Sequence, residues 1–187
     1  MYQMDDMRAV FKNKLSEKRY EHTLGVEYTA AALAMRYGAS ITNARIAGLL
    51  HDCAKYFPGE KLLQKCKKYQ LPINEYEKNY PELLHAKVGA YLAANKYGVK
   101  EEEILSAITW HTTGRPGMTL LDKIIYVADY MEPNRDKAPN LPEIRSMAFC
   151  DLDQCLITIL SHTLTYLKEK GSIIDPMTFA TYEYYRR

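Results

Sequence analysis

Apolar positions along the chain recur with a helical period, and the breaks between them fall on Ser, Gly and Pro. Ser16 is placed to cap a helix running through Glu17, Lys18, Arg19, Tyr20, Glu21 and His22 and then an Ala-rich stretch, with Gly38 as its stop. Ser40 opens a second helix, whose Ile46, Leu49 and Leu50 lead into His51 and Asp52. Pro58-Gly59 breaks the chain before a helix over about 60–69, and Pro81 suits a first helical turn, with the segment Glu82 to Tyr97 ending at Gly98. Glu101, Glu102 and Glu103 favour the positive end of the next helix, which runs to about Thr113 and stops at Gly114. Leu121, Ile124, Ile125 and Ala128 share one face of a helix from Leu120 to Met131. Pro133 to Pro142 reads as a loop. Helices over about 142–149 and 151–170 follow, with Gly171 as the stop, and a last short one after Pro176. No two alternating β-branched runs are joined by an Asn-Gly or Asp-Gly turn, and no repeat or linker interrupts the pattern. The expected architecture is all-α, one helical bundle over residues 1–187.

Composition narrows the partners. With 47% hydrophobic and 26% charged residues the chain is an ordinary globular mixture rather than a disordered one. Twenty-five basic against 23 acidic side chains leave a net charge of +2, which gives no support for broad binding to nucleic acid or an anionic membrane. No apolar run approaches the ~20 residues of a membrane helix, and Met1 to Lys14 lacks a signal peptide's apolar segment. Cys53, Cys66, Cys150 and Cys155 fit neither a CxxC zinc pair nor a disulfide framework, so they read as reduced thiols of a cytoplasmic protein, with Cys53 a small packing residue. The 16 tyrosines are compatible with a homodimer interface.

The chemistry lies in the histidines and their acidic neighbours. His22 is expected mid-helix, His51-Asp52 near a helix end, His85 early in a helix and His111 in the last turn of another. Asp129 lies in the apolar run Ile124-Ile125-Tyr126-Val127-Ala128-Asp129, where a carboxylate is costly to bury unless a cation or strong donors compensate it. Imidazole and carboxylate together suit Fe, Mn, Co or Zn better than Ca. Two His and two Asp would hold one metal and leave positions for water, whose pKa the metal lowers, and for substrate. If Asp52 bridged, His85 and His111 would complete a second metal position; their other role is to hydrogen-bond or protonate a phosphate. His162 has no acidic partner in its segment and reads as structural.

The order His22, His51-Asp52, Asp129 resembles the H…HD…D pattern of the HD-domain superfamily of metal-dependent phosphohydrolases. Three segments resemble its YqeK-type branch more closely: His51-Asp52-Cys53-Ala54-Lys55, Trp110-His111-Thr112-Thr113-Gly114-Arg115, and the run from Tyr126 through Asp129, Glu132 and Pro133 to Arg135. That branch is similar to bacterial symmetrical dinucleoside tetraphosphatases, which split diadenosine tetraphosphate into two ADP. The resemblance runs from about Arg19 to Arg145, with its helical spacing continuing to about Lys170, and leaves the Tyr-rich tail Thr181 to Arg187 outside it. It implies His22, His51, Asp52 and Asp129 as metal ligands with iron as the metal. It also implies that Lys55, His85, His111 and Arg135 face the phosphates. Arg19, one turn before His22, is a further candidate contact; Thr112, Thr113 and Arg115 are weaker ones.

The mechanism this implies begins with charge. A tetraphosphate repels a nucleophile until metal, Lys55 and Arg135 offset its charge, and His85 or His111 then protonates the departing nucleoside diphosphate. Rivals with the same frame are a nucleotidase or deoxynucleoside triphosphohydrolase. A cyclic-dinucleotide phosphodiesterase is disfavoured, because no G-Y-P element follows His111. A second class is a non-catalytic nucleotide-sensing module, and an inert bundle comes last.

Overall fold

A computed structural model describes residues 3–187. The helices are α1 (Met4–Lys14), α2 (Glu17–Tyr37), α3 (Ile41–Leu50), α4 (Gly59–Tyr69), α5 (Glu75–Asn79), α6 (His85–Asn95), α7 (Glu102–Trp110), α8 (Leu120–Met131), α9 (Leu141–Ala148), α10 (Leu152–Glu169) and α11 (Pro176–Tyr185), with a 3-10 turn at Pro81–Leu84. Among the described residues there is no strand, and no helix is long and apolar enough to cross a membrane. The expected caps are in place. Ser16 and Ser40 accept from the backbone N–H of Arg19 and Asn43, and Gly38 ends α2 in the left-handed conformation at φ 72°. Thr119 and Asp122 form a reciprocal capping box at the start of α8.

The helix α8 runs through the centre. Its Ile124, Ile125, Val127 and Ala128 are buried, and it packs against α2, α3, α7 and α10. At Gly48 the backbones of α2 and α3 come close together: a Cβ there would lie 2.9 Å from Glu27 Cα. Glu27 itself is buried between them and accepts from the guanidinium groups of Arg8 and Arg45.

Three elements depart from the helical pattern read in the sequence. The first helix read from the sequence begins at Ser16, and α1 precedes it, with Met7 and Phe11 four residues apart on one face. Both are fully buried, and with the Arg8–Glu27 pair they fix α1 on the bundle. The short α5 forms on a capping box between Asn74 and Glu77. The single helix expected over 82–97 is divided: Pro81 starts a tight 3-10 turn, and His85 becomes the first residue of α6.

The Tyr-rich tail is part of the bundle. The α11 residue Thr181 donates to the carbonyl of Thr113 (3.2 Å), and the backbone N–H of Met118 donates to Tyr185 Oη (2.7 Å). Gly114, at φ 65°, leaves the space Thr181 fills, since a Cβ there would meet its Cγ2 at 2.7 Å. All four cysteines are free, and Cys53 is buried in the core, as a packing residue should be.

Candidate active site

Four histidines and two aspartates meet where the ends of α3, α7 and α8 and the start of α6 reach the flank of α2. Three of the histidines share one device. His51 and His111 directly follow α3 and α7, and His85 follows the 3-10 turn. Carbonyls in a last helical turn lack an intrahelical partner. His51 Nδ1 donates to Gly48 O (2.7 Å), His111 Nδ1 to Ile108 O (2.7 Å), and His85 Nδ1 to Glu82 O. A carbonyl oxygen carries no hydrogen, so each Nδ1 must carry the proton and each Nε2 is left as the lone-pair nitrogen.

His22 lies inside α2, where that device is closed; the carbonyl three residues back, Arg19 O, already accepts from Thr23 Oγ1 (2.9 Å). Its Nδ1 turns instead to a carboxylate, Glu132 Oε1, at 3.1 Å. All four Nε2 atoms therefore point inwards, onto Asp52 and Asp129. Asp129 Oδ1 is 3.1 Å from His22 Nε2 and 3.9 Å from His51 Nε2; Asp52 Oδ1 is 3.1 Å from His85 Nε2 and 3.5 Å from His111 Nε2. Asp52 Oδ2 lies 3.6 Å from His51 Nε2, so Asp52 faces both halves of the cluster.

This arrangement fits a divalent cation. His22 Nε2, His51 Nε2 and Asp52 Oδ1 are buried yet lack a hydrogen-bond partner, the condition that ligation would relieve. Two overlapping groups have metal-ligand spacing: His22, His51 and Asp129, and His51, Asp52 and His111.

Charge follows the same division. Burial opposes a proton on His22, but the carboxylates of Asp129 and Glu132 beside it overcome this and raise its pKa to about 9. Burial dominates at His51 and pushes it down to about 4, and it lowers His85 as well. Burial works against ionised Asp52 and Asp129 too, yet the surrounding histidines hold both below the usual carboxylate range.

The cationic residues sit around this centre. Arg19 Nη1 is 2.6 Å from Asp52 Oδ2, and Arg135 donates to Asp129 Oδ1 (2.9 Å) and to the Asp129 carbonyl (3.0 Å). Lys55 lies over His85, its Nζ 3.2 and 3.3 Å from the two ring nitrogens, and burial lowers its pKa. A cleft of about 870 Å³ opens over the centre between the start of α2 and the loop after α8, with His22, His111, Asp129, Arg19 and Arg135 in its wall.

Thr112 also lines the cleft. Arg115 does not belong to the cluster, since its guanidinium is spent on buried Asp122 (3.1 Å). His162 lies outside the cluster, and its buried Nδ1 has no hydrogen-bond partner. Sequence reasoning assigned no role to Glu132 or Gly25. The available signal was spacing: Glu132 follows Asp129 by three residues, and Gly25 follows His22 by three within a helix.

Comparison with known proteins places this geometry. The family model described as "HD domain" matches residues 19–134. The chain is 47% identical over 180 residues, 96% of each protein, to a symmetrical bis(5'-nucleosyl)-tetraphosphatase of Bacillus subtilis (strain 168). It is 37% identical over 184 residues, 97% of this chain and 94% of the relative, to the protein of that name from Staphylococcus aureus (strain NCTC 8325 / PS 47). Its fold matches the crystal structure of an HD superfamily hydrolase from Clostridium acetobutylicum, described as involved in NAD metabolism. That match has a TM-score of 0.96 and 40% identity, and covers 100% of this chain and 98% of the other.

Proposed function

The chain belongs to the HD-domain family, and from that premise we propose that it hydrolyses dinucleoside tetraphosphates symmetrically, releasing two ADP from diadenosine tetraphosphate. One observation carries the reading to a polyphosphate: four inward Nε2 atoms meet two carboxylates, and Lys55, Arg19 and Arg135 stand directly around them. The substrate class follows the full-length relatives named for that activity.

In this reading His22, His51, Asp52 and Asp129 hold a divalent metal, with iron the expected ion and Mn, Co or Zn able to replace it. Asp52, His85 and His111 are the place for a second ion. The metal supplies charge neutralisation and a water of lowered pKa. The rest falls to the chain. Arg19 and Arg135 line the cleft and offset the phosphate charge that would otherwise repel a nucleophile. Lys55 sets a third positive charge beside His85. His85 and His111 each keep Nδ1–H tied to a carbonyl, so the unprotonated Nε2 is the atom that would take the proton released by the attacking water and pass it on to the leaving oxygen. The small dinucleotide is the partner, residues 1–187 work as one catalytic domain, and the cytoplasm is the proposed place of action.

The test is product identity. The full chain with Mn²⁺ or Fe²⁺ should convert diadenosine tetraphosphate to ADP as the sole nucleotide product. AMP with ATP would overturn the symmetrical cleavage. Faster release of triphosphate from deoxynucleoside triphosphates would move the protein to the triphosphohydrolases, and binding with no turnover would make it a sensor.

A further inference from the structure

We propose that Glu132 is a positioning residue for the metal centre: its carboxylate fixes the ring of His22 so that Nε2 is offered to the cation, and Gly25 lacks a side chain to leave room for that carboxylate. The inference rests on the metal centre proposed above.

Glu132 is 1% exposed, and both of its oxygens are committed. Oε1 accepts from His22 Nδ1 at 3.1 Å, and Oε2 accepts from the backbone N–H of Asn134 at 2.8 Å. A carboxylate held at two points has one orientation, and so has the imidazole it holds. The turn that carries it is held in its own right. Arg145, from α9, donates to the carbonyls of Met131 (2.9 Å), Glu132 (3.0 Å) and Arg135 (2.9 Å).

The approach of α2 completes the arrangement. A Cβ on Gly25 would lie 2.1 Å from Glu132 Oε2 and 2.9 Å from its Cδ, so an alanine there displaces the carboxylate. His22 and Gly25 are one turn apart on a single helix; the first needs Glu132 close, and the second allows it. Glu132 also differs in kind from the partners of the other three histidines. Those are neutral carbonyls, whereas an anionic acceptor on Nδ1 makes the opposite nitrogen a stronger donor to a metal. His22 is thereby the ligand whose orientation and basicity depend on a side chain, and hence on a residue that substitution can change.

The experiment is a calorimetric Mn²⁺ titration of the full chain and of Glu132→Ala, Glu132→Gln, Gly25→Ala and the Glu132→Ala/Gly25→Ala pair. Imidazole ¹H–¹⁵N spectra would be recorded on each. Loss of a partner behind a metal-bound histidine typically weakens binding about 10–100-fold, and Glu132→Ala should fall in that range. Glu132→Gln keeps an acceptor in place and should lose less. Gly25→Ala should weaken Mn²⁺ binding in the wild-type background and add nothing once Glu132 is gone. The His22 signal should leave the Nδ1–H form in Glu132→Ala while the other three stay put. Wild-type affinity in a folded Glu132→Ala overturns the proposal, as does a Gly25→Ala loss that persists undiminished in the pair. If Glu132→Ala fails to fold, Glu132→Gln and Gly25→Ala still decide between the outcomes by affinity and by the His22 spectrum. A wild-type chain that takes up no Mn²⁺ fails earlier, at the metal centre itself.

Discussion

The helix ends and the flank of α2 solve one problem in two ways. Each must present an imidazole with Nε2 inwards and Nδ1 satisfied. At the ends of α3 and α7 and in the turn before α6 the backbone does this unaided, with a carbonyl three residues back. On α2 the backbone is already committed, so a distant residue, Glu132, must supply the acceptor and Gly25 the space. The difference teaches that a helix-end ligand is a local invention, whereas a mid-helix ligand depends on tertiary structure. The two also respond to pH in opposite senses, since acids flank His22 while burial dominates at His51.

Removal of the carboxylate that both kinds of histidine share should have the largest effect. Asp129 Oδ1 lies near Nε2 of His22 and of His51. Asp129→Ala is expected to cut turnover of diadenosine tetraphosphate by on the order of 10³-fold or more, together with loss of bound metal by elemental analysis. Near-normal turnover would remove Asp129 from the centre.

Chelator-treated protein should separate the two kinds of histidine by pH. His22 is raised to about 9, so its contribution is complete below its unfolded pKa, about 6.5, and is lost as pH climbs through 9. His51 is lowered to about 4, so its contribution is present above 6.5 and is lost as pH falls towards 4. Each is worth up to roughly 3 kcal/mol at 1.4 kcal/mol per pH unit. Urea unfolding at pH 4.5, 6.5 and 9 should show greatest stability at the middle value, and Glu132→Ala should flatten the alkaline fall only. A fall of equal steepness in wild type and Glu132→Ala would refute the assignment to His22.

A smaller change reaches a helix-end ligand through its backbone. Gly48 carries the carbonyl that holds His51, and a Cβ there would meet the Glu27 backbone at 2.9 Å. Gly48→Ala should cost about 1–3 kcal/mol of stability by overpacking and should weaken metal binding as α3 shifts. Unchanged thermal stability would mean that the α2–α3 contact is looser than its geometry. The least effect is expected from Arg115→Ala, which breaks the pair with Asp122 and a longer bond to Ser106 Oγ. Stability should fall by about 1–2 kcal/mol while turnover is retained; a large loss of turnover would return Arg115 to the site.

Much of the candidate site could be read from residue order because three of its four histidines and Asp52 stand at helix boundaries, and boundaries are written locally in Ser, Gly and Pro. Ser16, Ser40 and Gly38 punctuate the structure where the pattern placed them. Asp129 stood out because a charge within an apolar helical run needs compensation. The helix α1 was missed although Met4, Met7 and Phe11 have helical spacing, because a short apolar stripe among charged residues does not say what it packs on; its burial becomes visible only with α2 and α3 in place. Arg115 was a candidate by neighbourhood along the chain, but its long side chain turns back to Asp122, a choice spacing does not contain.

The sequence by itself determined the all-α class, most helix boundaries and the residue types from which a metal centre is made, because each depends on a few neighbouring residues. Only the tertiary structure decided which nitrogen of His22 faces the centre, that Lys55 lies on His85 while Arg19 and Arg135 flank the carboxylates, and that Glu132 stands behind His22. Those choices are made by side chains from residues up to 110 positions apart. They are settled by packing and by the need of every buried polar atom for a partner, which no local pattern specifies.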